Sequence, residues 1–151
     1  MFSLLFGLVR CNDTTAVEKE TATDGVVIRS GTSFGMCMGY CLKDLEISGT
    51  QAKFTQKSHR DDTKYPARTC TRTLSSNLAN EYNLTAQLNE FRKLPAVIGC
   101  PDCADGGAEY VEIQVSEVIH RVKFEHGKTI PGFDALVKGL RTQREAFTDC
   151  K

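Results

Sequence analysis

Two closely spaced pairs of cysteines place the strongest constraint on how this chain can fold. Two residues separate Cys100 from Cys103 in a Gly- and Pro-containing loop over 99–110, and three residues separate Cys37 from Cys41 upstream. Such spacings are consistent with disulfides or with the ligands of a metal ion. We expect the bonds formed by these four sulfurs to tie the two halves of the fold together.

The total number of cysteines bears on the compartment of the protein. The chain has 7 cysteines among 151 residues. In a reducing cytosol such a number indicates metal or redox chemistry, whereas in an oxidising compartment it indicates disulfides. Six cysteines remain when Cys11 is set aside, and six is the even number that a disulfide framework requires. Two of the six, Cys70 and Cys150, are candidates for an additional disulfide.

The N-terminal residues indicate export from the cytoplasm. Residues 1–10 are mostly apolar but far shorter than the roughly 20 residues of a membrane-spanning helix, and they fit the hydrophobic part of a secretory signal. Cys11 follows, and residues 11–24 are polar, which predicts a flexible tether. This order resembles a bacterial lipoprotein signal in which Cys11 carries the lipid, although Arg10 stands where such signals have a small residue. The alternative is an ordinary secretory signal with Cys11 incidental.

The remaining residues, 25–151, have the composition of one globular domain. Hydrophobic residues make up 40% and charged residues 25% of the chain, as in ordinary globular proteins, and the length suits a single core. Lysine plus arginine (19) equals aspartate plus glutamate (19). Without a basic excess there is no electrostatic footprint for DNA or RNA, so we expect no nucleic-acid partner.

Alternating apolar residues predict two β-hairpins. One turns at Gly49 and Thr50, after a long strand over 37–47, and the other turns at Ser116 and Glu117. These turns bring apolar residues opposite one another, which stabilises a pair of strands. The predicted partners are Ile47 with Ala52, Leu45 with Phe54, Val115 with Val118, Ile113 with His120, and Val111 with Val122.

Further strands and helices complete the predicted fold. We expect a short strand over 25–29, an edge strand over 67–74, two short helices within 75–94 that break at Asn83, and a C-terminal helix over 131–147. This order predicts a single α+β domain: an antiparallel β-sheet built from hairpins, with two or three helices covering one face.

The partners of Cys37 and Cys41 depend on the local backbone. If residues 37–41 are extended, the two Cα atoms lie about 13 Å apart, whereas a disulfide needs them within about 7 Å. The two cysteines can then bond each other only if Gly39 bends the chain into a turn. In the extended case, Cys100 and Cys103 are the expected partners.

Two other uses of the four central cysteines remain open. They could bind Zn²⁺ through four thiolates, or Cu(I), since Met36 and Met38 would add soft sulfur, although a methionine beside a strand cysteine usually fills the core. A redox role for Cys100 and Cys103 requires that the pair open a helix, and here Gly106 and the following residues lead toward a strand. Disulfides, a metal site and a redox site are therefore the three interpretations.

No group of side chains has the spacing of a catalytic site. Asp102, Asp105 and Glu109 lie near one loop, but not at the spacing of a helix-loop-helix calcium site, and we expect them to be solvated loop acids. The sequence also lacks the signature of an activated nucleophile. We therefore predict no enzymatic activity and no catalytic residue. Of the histidines, we expect His120 to be a hydrogen-bonded residue of the sheet, and His59 and His126 to lie in loops.

Both cysteine motifs resemble those of a known group of proteins. Residues 33–41 read SFGMCMGYC and residues 99–109 read GCPDCADGGAE, and together they resemble small secreted or lipid-anchored bacterial proteins of uncharacterised function. The resemblance covers roughly residues 25–145, and it implies four linked cysteines and an extracytoplasmic location. It implies no activity, and Cys70 and Cys150 lie outside its motifs.

These observations lead to two hypotheses of function. The first is a secreted or lipid-anchored protein of the bacterial cell envelope, facing the periplasm or the cell surface, with a non-enzymatic structural or binding role and an unknown protein partner. In it the central cysteines are structural, and Cys11 attaches the chain to the membrane if it is lipidated. The second is an envelope protein that binds Zn²⁺ or Cu(I) through Cys37, Cys41, Cys100 and Cys103.

Overall fold

A seven-stranded β-sheet forms the frame of the protein in the computed structural model, which describes residues 25–60 and 63–150. The signal-like segment, Cys11 and the tether lie outside the described residues. The strand order is β4-β3-β2-β1-β6-β7-β5, and every pairing is antiparallel except that of β5 with β7. The strands are β1 (Val26–Ser33), β2 (Leu42–Ser48), β3 (Gln51–Lys57), β4 (Arg68–Thr73), β5 (Val97–Ile98), β6 (Ala108–Val115) and β7 (Val118–Glu125).

Three α-helices accompany the sheet: α1 (Leu78–Glu81), α2 (Leu84–Lys93) and α3 (Asp134–Glu145). The side chain of Asn77 caps α1 by accepting a hydrogen bond from the amide of Ala79 at 3.0 Å. Asn83 separates α1 from α2 in the left-handed region at φ 48°, at the predicted break. A mostly antiparallel sheet with helices confirms the predicted α+β class. Within the described ranges, none of the helices is long and apolar enough to cross a membrane.

The two hairpins have the predicted pairing. Ile47 lies opposite Ala52 and Leu45 opposite Phe54 between β2 and β3, and the three pairs predicted between β6 and β7 are also present. A shift of one residue would have exchanged the buried and exposed faces of each strand. The alternation of apolar residues was therefore sufficient to determine the register.

Two parts of the predicted strands are wrong. Residues 37–41 do not extend β2, because the chain turns at Gly39 (φ 94°) and the amide of Cys41 donates to the Gly39 carbonyl at 2.9 Å. Conversely, residues 30–33 continue β1 beyond the short strand predicted over 25–29, since this strand lies in the middle of the sheet and pairs with both β2 and β6 over its length. The polar side chains of Ser30 and Thr32 are consequently buried.

The core contains residues from one face of the sheet together with residues of all three helices. Ile28, Ile47 and Ile113 lie side by side on β1, β2 and β6 with about 1% of their surface exposed. Burying a side chain of this size stabilises the fold by about 2 kcal/mol. The helices contribute Leu78, Ala79, Leu84, Phe91, Leu136, Val137 and Leu140.

On the opposite face, Gly31 leaves room for a contact between strands that are not neighbours. A Cβ atom on Gly31 would lie 2.6 Å from the ring of Tyr110 and from the Lys43 carbonyl oxygen, so a larger residue does not fit. Across this gap the Tyr110 hydroxyl on β6 donates to Asp44 Oδ1 on β2 at 2.7 Å. Burial and then this hydrogen bond raise the pKa of Tyr110 well above its ordinary value. The contact connects β6 to β2 over the central strand.

Candidate functional site

Both cysteine motifs lie at the same end of the sheet. Strands β1, β3, β5 and β7 end there, and β2, β4 and β6 begin there, as their pairings require. We call this region the cysteine end and define it by residues 34–41 and 99–107, together with 58–60, 63–67 and 126–133 beside them. The sheet topology thus places next to each other two motifs that are distant in the sequence.

The cysteines form disulfides within each motif, not between the motifs. Cys37 bonds Cys41, with Cα atoms 5.6 Å apart, and Cys100 bonds Cys103, with Cα atoms 5.5 Å apart. The pairing expected for an extended 37–41 segment is therefore wrong, because the turn at Gly39 brings the two ends within bonding distance.

The third disulfide joins Cys70 to Cys150, with Cα atoms 5.8 Å apart across 80 residues of sequence. This pair was suggested as an additional disulfide. It connects the edge strand β4 to the segment that follows α3. Every cysteine within 25–60 and 63–150 is therefore in a disulfide.

Packing and hydrogen bonds hold the two cysteine loops together. The amide of Gly35 donates to Asp102 Oδ1 at 3.4 Å. The ring of Phe34 lies against Gly107, whose φ of 79° and absent side chain make this contact feasible, since a Cβ atom would overlap the ring. The same ring meets the edge of His126, with centroids 4.8 Å apart. The expectation that bonds of the four sulfurs tie the two halves of the fold together is therefore wrong, and non-covalent contacts join the two loops instead.

The Cys100–Cys103 loop has an unusual backbone. Asp102, Ala104 and Asp105 all have positive φ (65°, 49° and 59°), a conformation that costs about 1–2 kcal/mol for a non-glycine residue. The amide of Cys100 donates to Glu125 Oε1 at 2.9 Å, which anchors the loop to β7. The turn over Cys103–Asp105 has only three residues, so it lacks the helix that would lower the pKa of a redox-active thiol.

Glu109 is a buried carboxylate, although we expected a solvated loop acid. It lies on the core face of β6, two residues before Val111, and is 2% exposed. Nε of Arg141 donates to both carboxylate oxygens at 3.0 Å, Nη2 of Arg144 donates to Oε2 at 3.0 Å, and the Gly127 amide donates to Oε1 at 3.0 Å. The expectation failed because both arginines come from α3, more than 30 residues downstream.

The environment of Glu109 keeps the carboxylate ionised. Burial alone would raise its pKa, but the hydrogen bonds from Arg141 and Gly127 and the charges of both arginines outweigh burial, so the pKa is lowered. Two guanidinium groups therefore share one carboxylate, which leaves the group with a net positive charge. Nη1 of Arg144 also donates to Ser30 Oγ at 2.7 Å, connecting the group to β1.

Sequence reasoning missed both arginines. The C-terminal helix was predicted, but neither Arg141 nor Arg144 was singled out as a site residue. A usable signal was present for Arg144, which follows Leu140 by four residues and Val137 by seven, the spacing of one helical face. It is in fact 6% exposed.

A row of alternating charges crosses the other face of the sheet. Lys53, Glu46, Arg29, Glu112 and Arg121 occupy opposed positions on five adjacent strands, from β3 to β7. Each is ion-paired with the next at 2.8–2.9 Å. The row explains why the charged residue Glu112 is only 7% exposed: arginines on both sides cover it. Hydrogen bonds from Lys53 and then Arg29 lower the pKa of Glu46.

The geometry bears on the metal hypothesis in two ways. The part of the chain that is described contains no group of three or more His, Cys, Asp or Glu residues able to hold a metal ion. Cysteines in disulfides also lack the thiolate that binds a metal. We expected Met36 and Met38 to fill the core. They are instead 80% and 96% exposed, on either side of Cys37.

No family model matches the chain, and no curated protein matches it. The resemblance to small secreted bacterial proteins therefore stays a prediction. The function has to be inferred from the disulfides, the buried charges and the surfaces described above.

Proposed function

We propose that the protein is an extracytoplasmic domain of the bacterial cell envelope with a non-enzymatic structural or binding role. The observation that carries this proposal is the pairing of every cysteine of the described ranges in a disulfide. Disulfides of this kind persist in oxidising compartments and are rare in the cytosol, where thiols are kept reduced. The central cysteines then serve to stabilise loops, and no chemistry is required of them.

In this proposal the partner is another protein, which binds at the cysteine end. Met36 and Met38 have the largest exposed fractions among the exposed large apolar side chains of the described residues. The Cys37–Cys41 disulfide closes the loop that carries Met38, and Met36 directly precedes this loop, so little conformational entropy is lost when Met38 is buried against a partner. Methionine side chains adapt readily to a partner surface. Residues of α1–α3 join the core on one face of the sheet, whereas the cysteine loops follow the ends of its strands.

The oxidation state of the cysteines is the first test. We expect purified Cys11→Ser protein, handled without reductant, to have a mass about 6 Da below that of the reduced form, since each of the three disulfides lacks two hydrogens. Alkylation before reduction should label no cysteine, and alkylation after reduction should label six.

A different labelling pattern would support the metal hypothesis instead. Four reactive thiols in the unreduced protein, accompanied by about one Zn²⁺ or Cu(I) per chain, would show that Cys37, Cys41, Cys100 and Cys103 bind metal as thiolates. Peptide mapping of the alkylated positions distinguishes this outcome from incomplete oxidation, because incomplete oxidation would also leave Cys70 or Cys150 reactive.

The membrane anchor has a separate test. We propose that Cys11 is the site of lipid attachment, and that several acyl chains on this one residue hold the protein at the membrane. When the full chain is expressed in bacteria with labelled palmitate, we expect label in the wild-type protein and none in Cys11→Ser. A Cys37→Ser/Cys41→Ser variant is the matched control and should keep the label. An unlabelled, exported wild-type protein would refute the anchor and leave secretion in place.

A further inference from the structure

A cleft of about 490 Å³ opens beside the buried charges of Glu109 and its arginines. It lies on the core side of β1–β3, between the His126 loop and the segment that follows α3, and both Thr32 and Arg144 line it. Its volume falls within the range of small-molecule sites, which are usually apolar with a few convergent polar groups. Phe34 and His126 of the cysteine end line this cleft, but Met36 and Met38, through which the protein partner is proposed to bind, do not.

Thr32 supplies one polar group that lacks a partner. Its side chain is 7% exposed, and among the described residues its hydroxyl has no hydrogen-bond partner. A buried hydroxyl without a partner is unfavourable, and most buried polar atoms in proteins are hydrogen-bonded. The hydroxyl is thus able to accept or donate a bond to a molecule in the cleft.

The charges around the cleft favour an anion. The guanidinium of Arg144 donates one hydrogen bond to Ser30 and one to Glu109. A guanidinium carries five N–H donors, so Arg144 has further donors for an anion. Glu109 is already shared with Arg141, so one positive charge of the pair is not compensated. Lys43 lines the cleft and forms no ion pair with a described residue. The carboxylate that also lines the cleft, Glu145, is exposed, and His126 lies 3.7 Å from Glu109.

Aromatic side chains form the apolar part of the cleft. Phe54 and Phe147 stack with ring centroids 5.1 Å apart, and Phe34 lies toward the cysteine end. Phe54 is buried, and the Arg72 guanidinium lies over the Phe147 ring at 4.5 Å from its centroid, so a flat apolar group would contact the half-buried rings of Phe34 and Phe147. The cleft therefore has a cationic, hydrogen-bonding part beside an aromatic part.

We propose that this cleft binds a small organic monoanion, a carboxylate carried on a flat apolar group. The carboxylate bonds the Thr32 hydroxyl and is attracted by Arg144 and Lys43, because an anion compensates the unshared positive charge. The apolar group packs against the phenylalanines. This inference goes beyond the proposed function, since it holds whether or not the domain is anchored or binds a protein.

Benzoate is a suitable probe, with benzamide as a neutral molecule of the same shape. We expect saturable millimolar binding of benzoate to the disulfide-bonded protein, followed by amide NMR shifts around Thr32 and Lys43. Benzamide should bind about tenfold more weakly, as expected for the loss of a charge-assisted interaction.

Three variants test the residues of the cleft. Thr32→Val removes only the hydroxyl, and Lys43→Gln removes an exposed charge without disturbing the core. Each should weaken benzoate binding about tenfold. Lys123→Gln, an exposed lysine elsewhere on the sheet, should bind like the wild type, and so should Thr32→Ser, which keeps the hydroxyl.

Several results would overturn the proposal. They are the absence of saturable benzoate binding in the millimolar range, equal binding of benzoate and benzamide, or shifts located away from the cleft. If Thr32→Val does not fold, the proposal is overturned when Lys43→Gln binds benzoate as strongly as the wild type does. None of these results depends on the cysteine or palmitate measurements, so failure here leaves the proposed function intact.

Discussion

Replacement of Glu109 by glutamine should lower the free energy of unfolding by about 3–5 kcal/mol, the usual cost of removing one partner from a buried ion pair. The amide cannot accept hydrogen bonds from Arg141 and Arg144 with both of its terminal atoms, and it leaves two guanidinium groups without a counter-charge at a position that is 2% exposed. The Gly127 amide also loses a charged acceptor. Urea unfolding of wild type and Glu109→Gln at pH 7 measures the difference.

Glu117→Gln is the matched control for this variant. Glu117 lies in the turn between β6 and β7 and is exposed, so the same substitution should change the free energy of unfolding by less than about 0.5 kcal/mol. If both variants unfolded at the same urea concentration, Glu109 could not be held by the two arginines as described.

The effect of Glu109 on stability should depend on pH in one direction. Since its pKa is lowered in the folded protein, its contribution is complete above the pKa of an unfolded glutamate, about 4.3. The contribution is lost as the pH falls from that value through the folded pKa. The difference between wild type and Glu109→Gln should therefore be constant near neutral pH and shrink below about pH 4.3.

The parts of the fold that could be predicted are those in which local pattern and burial agree. The β6–β7 hairpin was predicted in register because Val111, Ile113 and Val115 alternate with polar residues on one strand. The same reasoning failed at Cys37 and Cys41. Their separation of four residues matches the parity of a strand, but a turn at Gly39 brings them together equally well, and a sequence pattern does not distinguish the two.

The buried charges could be predicted only in part, because they depend on tertiary contacts. Glu109 has the same parity as the apolar residues that follow it, so its position on the core face could be inferred. Its stability there depends on arginines from α3, and no local signal connects the two segments. Likewise, Arg29 and Glu112 each resemble ordinary surface charges, and they become ion-paired only because the strand order places β1 beside β6.

The cysteine pairs should differ in their effect on stability according to the length of chain that each closes. The Cys70–Cys150 disulfide spans 80 residues, and the chain-entropy relation gives a stabilisation of about 4.5 kcal/mol for a loop of that length. The same relation gives about 2 kcal/mol for the Cys37–Cys41 loop, which spans 4 residues. We therefore expect Cys70→Ala/Cys150→Ala to lower the melting temperature by roughly 15 °C, and Cys37→Ala/Cys41→Ala to lower it by about half as much or less.

Cys37→Ala/Cys41→Ala is also the control for the loss of buried sulfur. Cys41 and Cys150 are both buried, and substitution by alanine removes the same atoms from each. In Cys70→Ala/Cys150→Ala, hydrogen bonds still connect β3 and β4 to the C-terminal part of the chain. Gln56 on β3 donates to the carbonyl of residue 150, and Arg72 on β4 donates to Gln143. The native state should thus remain folded, and the stability lost is that of a constraint on the unfolded chain. Calorimetry on both variants decides the matter: equal melting temperatures would mean that loop length does not determine the contribution of these disulfides, and that Cys70–Cys150 does not secure the edge of the sheet.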